Sequence, residues 1–395
     1  MEQSKRRALI GVSIGHGAHD TWYGVAAILM AALSGTLALK NSDIALALLL
    51  YQGFSSLTQP MFGRLSERIG GRPLAMGSIL WTTLCFSILL FAQTKWLLML
   101  LMALSGIGSG AWHPQGAANA AIAGGKRWGA TASAIFFLGG TLGSAVLGAA
   151  AGGFLLDRYG PRSLLIISGI TVILALGFVR TMVPRWLDVP QVDAHDVAQS
   201  ENGNGRMFWT LIVVLLVGTA MRRVANETLQ TFVPKLLEDQ GVATVAYGAL
   251  MSLFMIATAV GGVLGSYLSD RIGLRRVLAA SVLLAALAVW GFVNTGGMLS
   301  YALFILVGLL LSPSHTLFMV ACQRQFPQRM ATMTGVFLGY AFVTGAVGAW
   351  LVGLAADRVG LATMFGYLPY LLMGAAVLAW FGVPKAQDRV VGAEG

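Results

Sequence analysis

Apolar residues fall along this chain in runs of about 20, separated by short polar stretches. Twelve runs can be drawn: 8–34, 42–62, 74–93, 96–121, 129–155, 162–183, 208–232, 243–268, 275–294, 298–321, 330–355 and 362–383. A run of that length crosses about 30 Å of hydrocarbon at 1.5 Å per residue, so each predicts a transmembrane helix. Only one polar stretch is long, Pro184 to Arg206, and it carries Asp188, Asp193, Asp196, Glu201 and an Asn-Gly-Asn-Gly sequence. That is linker composition. The pattern predicts a six-helix bundle over 1–183, a linker over 184–207 and a second six-helix bundle over 208–395.

The polar breaks repeat a phrase: an acid, Arg, a spacer and Gly. It occurs as Glu67-Arg68-Ile69-Gly70, Asp157-Arg158-Tyr159-Gly160, Asp270-Arg271-Ile272-Gly273 and Asp357-Arg358-Val359-Gly360. The acids are 90, 113 and 87 residues apart, one copy per quarter of the chain. Internal repetition of this kind is how many secondary transporters are built.

Composition strengthens this reading. The chain of 395 residues is 56% hydrophobic and 11% charged, against about 25% charged in soluble proteins. The 50 glycines suit close approach of helices in a bilayer. The net charge of +10 invites a nucleic-acid reading, but topology explains it better. With the amino terminus inside, 18 of the 26 Lys and Arg fall in cytoplasmic segments and 6 outside. That bias puts both termini in the cytoplasm. The repeated phrases then alternate inside, outside, inside, outside. Successive three-helix units are inverted while the two halves run parallel, a nested pseudo-symmetry. The start, Lys5-Arg6-Arg7 before an apolar run, mimics a signal peptide. His16, His19 and Asp20 interrupt that run, which is read as a retained first helix. Cys85 and Cys322 lie in apolar runs of different halves and are read as buried thiols.

The segment Gly63-Arg64-Leu65-Ser66-Glu67-Arg68-Ile69-Gly70-Gly71-Arg72 resembles the loop 2–3 signature of the major facilitator superfamily, with Glu67 in place of Asp. The third copy, Ser266 to Arg276, keeps Asp270, Arg271 and Gly273. The resemblance spans the whole chain. It implies an all-α membrane protein of twelve transmembrane helices in two pseudo-symmetric six-helix bundles, each of two inverted three-helix repeats. Within the superfamily, Gly106 to Pro114, with Trp112-His113-Pro114, is similar to the fosmidomycin-resistance type of drug-efflux transporter. Gly139-Gly140-Thr141-Leu142-Gly143-Ser144, the run Gly335 to Phe342 and Gly353 to Asp357 are similar to it too. That pattern continues His-Pro-Glu, whereas Gln115 stands here. If the family's acid carries protons, this chain must use another group. The resemblance implies export of small organic compounds.

Candidate chemistry lies in the polar residues inside the spans. In span one, His16, His19, Asp20 and Tyr23 sit at offsets of 3, 4 and 7 and share one helix face. An Asp at membrane depth costs about 2.5–3.5 kcal/mol on insertion scales, so such groups normally face a cavity and serve function. A proton- or substrate-binding face, a structural hydrogen-bond cluster and metal ligation compete as readings. In span seven, Arg222, Arg223, Asn226, Glu227 and Gln230 form a comparable face. The first and third phrases are 203 residues apart, and that offset carries His19 and Asp20 onto Arg222 and Arg223. The expectation is that Asp20 and Arg223 lie across a central cavity, with Glu227 as proton carrier or counter-charge. Arg stays charged and suits an anionic substrate group; His and carboxylates titrate and suit coupling. Span four adds Trp112, His113, Gln115 and Asn119, and span ten adds His315. Pro114 and Pro313 beside the two histidines free a backbone carbonyl and permit a kink. Gln52, Ser56 and Gln59 in span two read as a structural stripe. Gly63, Glu67, Arg68, Gly70, Arg72, Asp270, Arg271 and Gly273 are read as a conformational latch.

These residues predict a secondary transporter rather than an enzyme: proton-coupled export of small organic compounds by alternating access, with the proton gradient as energy source and no cofactor or metal. No phosphate-binding Lys-Ser/Thr loop is present in the sequence. Uptake or exchange of a small organic anion is the second reading. A metal-dependent intramembrane enzyme using His16, His19, Asp20 and His113 is the rival from another class, and a non-transporting receptor is a weaker one. The expected partners are a small-molecule substrate and the lipid bilayer of the inner membrane, with no nucleic acid and a monomeric state.

Overall fold

The computed structural model describes residues 3–185, 205–323 and 330–383, and every regular element among them is helical. In chain order these are α1 (Gln3–Leu33), α2 (Asn41–Ile69), α3 (Gly71–Leu89) and α4 (Lys95–Leu142). A π-helical stretch, Gly143–Ala151, joins α4 to α5 (Gly152–Tyr159). A 3-10 turn at Pro161–Leu164 leads into α6 (Leu165–Leu174), a second π-helical stretch (Ala175–Val179) and α7 (Arg180–Met182). The second half holds α8 (Gly205–Asp239), α9 (Thr244–Ile272), α10 (Leu274–Asn294), α11 (Gly297–Gln323), α12 (Met330–Val359) and α13 (Leu361–Gly382).

All twelve apolar runs fall on helices. The boundary between spans four and five differs from the expected loop: the backbone stays helical from Lys95 through Leu142. Ala117, Ala118, Ala120, Ala121 and Ala123 occupy that boundary, and Ala is the strongest helix former. Nine segments among the described residues are long and apolar enough to cross a bilayer. The long helices outside that set are α1, α2 and α8. They carry the polar faces found in the sequence, and those polar side chains are largely buried: Gln52, His16, His19, Arg222, Arg223 and Glu227 all lie inside. Large apolar residues such as Leu57, Trp96, Val263 and Phe381 are exposed instead. That inversion suits a solvent of lipid.

The chain divides into two compact units, Met1–Gln191 with Gln230–Ser252, and Val192–Leu229 with Leu253–Gly395. Glycines set the helix spacing inside each. In the first unit, Gly17 and Gly24 of α1 lie against the backbone of Gly143 and Ser144, and Gly139 against that of Ser13. In the second, Gly261 of α9 meets the Leu309 backbone of α11, and Gly348 of α12 meets Val224 of α8. Where hydrocarbon surrounds the bundle there is little hydrophobic drive between helices, so close backbone approach supplies cohesion.

The four repeated phrases build one device four times. Gly70, Gly160, Gly273 and Gly360 have φ of +91°, +74°, +101° and +85°. Each N–H donates to the carbonyl four residues earlier, Ser66, Leu156, Ser269 and Ala356, at 2.8–3.0 Å. The helix is thereby closed and the chain turned into the next one. With ψ near 140–180° these are conformations essentially confined to glycine. Inside the first unit the loop is tied down further. The Gly71 N–H donates to Arg185 O at 3.1 Å, and Arg72 Nη1 donates to Arg180 O at 3.3 Å. Arg271 lies over the Tyr267 ring at 4.6 Å. Gly63 and Arg68 stay in the last turns of α2. The latch roles expected for the side chains of Glu67 and Asp270, and most of the 184–207 linker, lie outside the described residues, as does the Cys322 side chain. Cys85 is a buried free thiol.

These turns make a graded prediction. A Cβ at Gly160 meets nothing within 4 Å, so Gly160→Ala carries only the backbone cost, about 1–3 kcal/mol. A Cβ at Gly70 lies 2.5 Å from Arg185 O, so Gly70→Ala should lower the thermal unfolding midpoint of the detergent-purified protein further. Equal midpoints for the two variants would contradict the role given to the Arg185 carbonyl.

Candidate functional site

In the first unit, three histidines from two helices surround one carboxylate. His16, His19 and Asp20 come from α1. His113 comes from α4, brought alongside by the small residues that let α1 and α4 approach. His16 Nε2 is 3.1 Å from Asp20 Oδ2, His19 Nδ1 is 3.1 Å from Oδ1, and His113 Nε2 is 3.6 Å from Oδ1. His16 and His19 are fully buried, while Asp20 keeps 19% of its side chain accessible.

The far sides of the rings decide the chemistry. His16 Nδ1 sits 2.8 Å from the Phe136 carbonyl, and His113 Nδ1 sits 2.9 Å from the Ser109 carbonyl. A carbonyl oxygen only accepts, so both Nδ1 atoms carry hydrogen. In a neutral imidazole the lone pair is then on Nε2, and both Nε2 atoms face Asp20. Two lone pairs opposite a carboxylate repel unless a cation lies between them. Adding a proton turns either contact into an ion pair. His16 Nε2 reaches Asp20 at ion-pair distance without hydrogen-bond alignment, and it has no other partner. His19 completes the set, donating from Nδ1 to Asp20 with its Nε2 3.4 Å from Thr82 Oγ1. One donor atom each from His16, Asp20 and His113 lie within 4.8 Å of one another. In donor type this is also a set that a divalent metal accepts.

Packing holds the cluster in place. His16 stacks on Phe136 with centroids 3.9 Å apart, and His19 stacks on Trp112 at 6.0 Å. Ser144 Oγ, in the π-helical stretch, donates to Asp20 O at 2.8 Å. Gly140 leaves the space the cluster fills: a Cβ there would lie 2.6 Å from His16 Cε1 and 2.8 Å from Asp20 Oδ2.

Other residues singled out from the sequence of this half lie elsewhere. Gln115 and Asn119 bond each other at 2.9 Å and pack against Gly71, at the turn from α2 into α3, rather than on the histidines. Tyr23 faces Tyr51 at 6.5 Å. The Phe136 and Ser109 carbonyls, Gly140 and Thr82 were missed. Backbone acceptors leave no sequence signal, although Ser109 stands one helical turn before His113.

In the second unit, Arg222, Arg223, Asn226 and Glu227 are all buried on α8. Arg223 Nη2 donates to Glu227 Oε2 at 3.0 Å, and its Nε donates to Ala341 O at 3.1 Å. The Phe342 ring lies 5.2 Å from its guanidinium carbon. Arg222 Nη2 reaches His315 Nδ1 of α11 at 3.3 Å. The structure brings Arg222, Arg223, Glu227 and His315 together as one group.

A family model described as the Major Facilitator Superfamily matches residues 12–222 and 215–395. The chain belongs to this superfamily. It is a multi-pass membrane transporter and not an enzyme. Among its relatives, the fosmidomycin resistance protein of Escherichia coli (strain K12) is 24% identical over 92% of this chain and 90% of its own length. The multidrug resistance protein MdtG of Dickeya zeae is 24% identical over 85% of this chain and 83% of its own. A bacterial homologue of the human lysosomal transporter Spinster has the same fold, with TM-score 0.76 at 16% identity, covering 97% of this chain and 98% of that one. As a member of the superfamily the chain binds small-molecule substrates within the membrane.

Two glycines separate site effects from fold effects. Gly140→Ala presses on the His16 ring and the Asp20 carboxylate, so it should change the pH profile of transport at a smaller cost in unfolding midpoint than a clash with backbone. Gly143→Ala presses on the Gly17 backbone and should lower the midpoint by several degrees. Identical behaviour of the two variants in both assays would refute the distinction.

Proposed function

We propose that this transporter is a proton-coupled exporter of small organic compounds in the inner membrane, with both termini cytoplasmic. Asp20, His16 and His113 form its proton site. One observation carries the coupling: two Nδ1–H groups committed to backbone carbonyls leave two Nε2 lone pairs facing one carboxylate. Such a group holds a proton tightly in one arrangement of its helices and loosely in another, since about 1–2 Å of helix movement alters every one of these distances. It also supplies the titratable group that Gln115, in place of an acid, cannot. The names of the relatives, fosmidomycin and multidrug resistance proteins, support export, and the basic bias of the loops supports the orientation.

Proteoliposomes with an imposed proton gradient test this, using a compound panel that includes fosmidomycin. Gradient-driven flux should fall at least tenfold in Asp20→Asn and severalfold in His16→Gln and His113→Gln, while treatment with a chelator leaves wild-type flux unchanged. Normal gradient-driven flux in Asp20→Asn sinks the site assignment. Flux indifferent to the gradient sinks proton coupling, and loss on chelation with recovery on adding zinc makes the cluster a metal site.

A further inference from the structure

The second unit carries a buried guanidinium, Arg222, with no ion pair of its own among the described residues. Of the 16 acidic residues in the sequence, only Asp20 and Glu227 lie within apolar spans away from their ends. Glu227 is therefore the single acid at that depth in the second half, and it pairs with Arg223 at 3.0 Å. Arg222 is 2% exposed and forms no ion pair among the described residues, and its Nε–H has no hydrogen-bond partner. Its Nη2 meets His315 Nδ1 at 3.3 Å. A guanidinium can only donate, so His315 accepts through Nδ1 and is the neutral tautomer with hydrogen on Nε2. His315 is only partly buried. An unpaired buried guanidinium carries a large desolvation penalty unless an anion meets it.

We propose that Arg222 and His315 form a receptor for the oxyanion group of an organic solute, a carboxylate, sulfonate or phosphonate. The planar fork of Arg222 takes two oxygens side by side, and His315, accepting from Nη2, holds the fork in place. Arg223 is held out of this role, because its Nε is committed to Ala341 O and its Nη2 to Glu227. Glu227 sets the affinity by keeping the net charge of the group at one.

The claim rests on the transporter reading only in naming the anion as cargo; the binding itself is measured without a gradient. The full chain, purified in detergent at constant ionic strength without phosphate or sulfate, is titrated with phenylphosphonate, with benzyl alcohol as its neutral counterpart and with inorganic phosphate. Stabilisation by a ligand follows its occupancy. Phenylphosphonate should raise the unfolding midpoint saturably, and benzyl alcohol should not. Arg222→Met should weaken apparent affinity at least tenfold while its ligand-free midpoint equals or exceeds that of the wild type, because an uncompensated charge has been removed. His315→Leu should weaken binding severalfold, and Glu227→Gln should tighten it. Unchanged phenylphosphonate affinity in Arg222→Met, or in both His315→Leu and Glu227→Gln, overturns the proposal. So does a response to inorganic phosphate alone, which makes the site one for free anions. If Arg222→Met does not yield folded protein, Arg222 is structural and the proposal falls, unless Glu227→Gln and His315→Leu still move the affinity in opposite directions. Flux lost with binding intact counts only against proton coupling.

Discussion

A charge placed among hydrocarbon must find its compensation within the protein, and this requirement organises the chain. Apolar segments of the right length are plentiful here and cost nothing to insert. The charged side chains inside α1 and α8 are what demand particular neighbours at particular distances. Asp20 is met by the His19 Nδ1–H of its own helix and, once a proton is bound between them, by His16 and His113. Arg223 is met by Glu227 one turn away and by a carbonyl and a ring of α12. A pair at i and i+4 forms as soon as the helix does. The third partners, His113 and Ala341, come from other helices, so the compensation is complete only once tertiary packing is.

Close packing is therefore a precondition of the chemistry. Gly140 and Gly345 stand opposite Asp20 with His16 and opposite Arg223, one in each unit. A Cβ at Gly140 would take space that His16 and Asp20 fill, and one at Gly345 would crowd the Arg223 guanidinium at 3.3 Å. The partner carbonyls, Phe136 O and Ala341 O, also lie on corresponding helices. The same duplication that produced four glycine turns also produced two cradles of small residues for a polar group from the first helix of each half.

Much of this was legible in the sequence, for reasons that differ by element. Helix length and number followed from apolar runs, because crossing a bilayer fixes a minimum length. The loops followed from the acid–Arg–Gly phrase, because positive-φ backbone selects glycine, and all four copies adopt it. The polar faces of spans one and seven were visible as helical offsets. What stayed hidden was the depth and company of span-four residues. His113 and Gln115 are two residues apart in sequence, yet one joins the Asp20 cluster while the other pairs with Asn119 near the α2–α3 turn. Two residues turn a helix by about 200°, and only the rotation of α4 about its axis says which face looks inward. The continuous helix across spans four and five had a similar cause: apolar counting finds membrane boundaries, not helix ends.

The internal symmetry makes the chemical difference between the halves informative. Equivalent positions carry Asp20 in one unit and Arg223 in the other, and their i, i+4 partners are His16 on the amino side and Glu227 on the carboxyl side. The first set is built from imidazoles around a carboxylate; the second is built around two guanidinium groups. A fold repeated for mechanical reasons has no need of such divergence, since neutral polar residues would pack as well and insert more cheaply. Opposite charges at equivalent positions of the two repeats are costly in each half separately. The cost is intelligible if the halves divide the work, one exchanging a proton and the other holding an anion whose charge the proton can balance during passage.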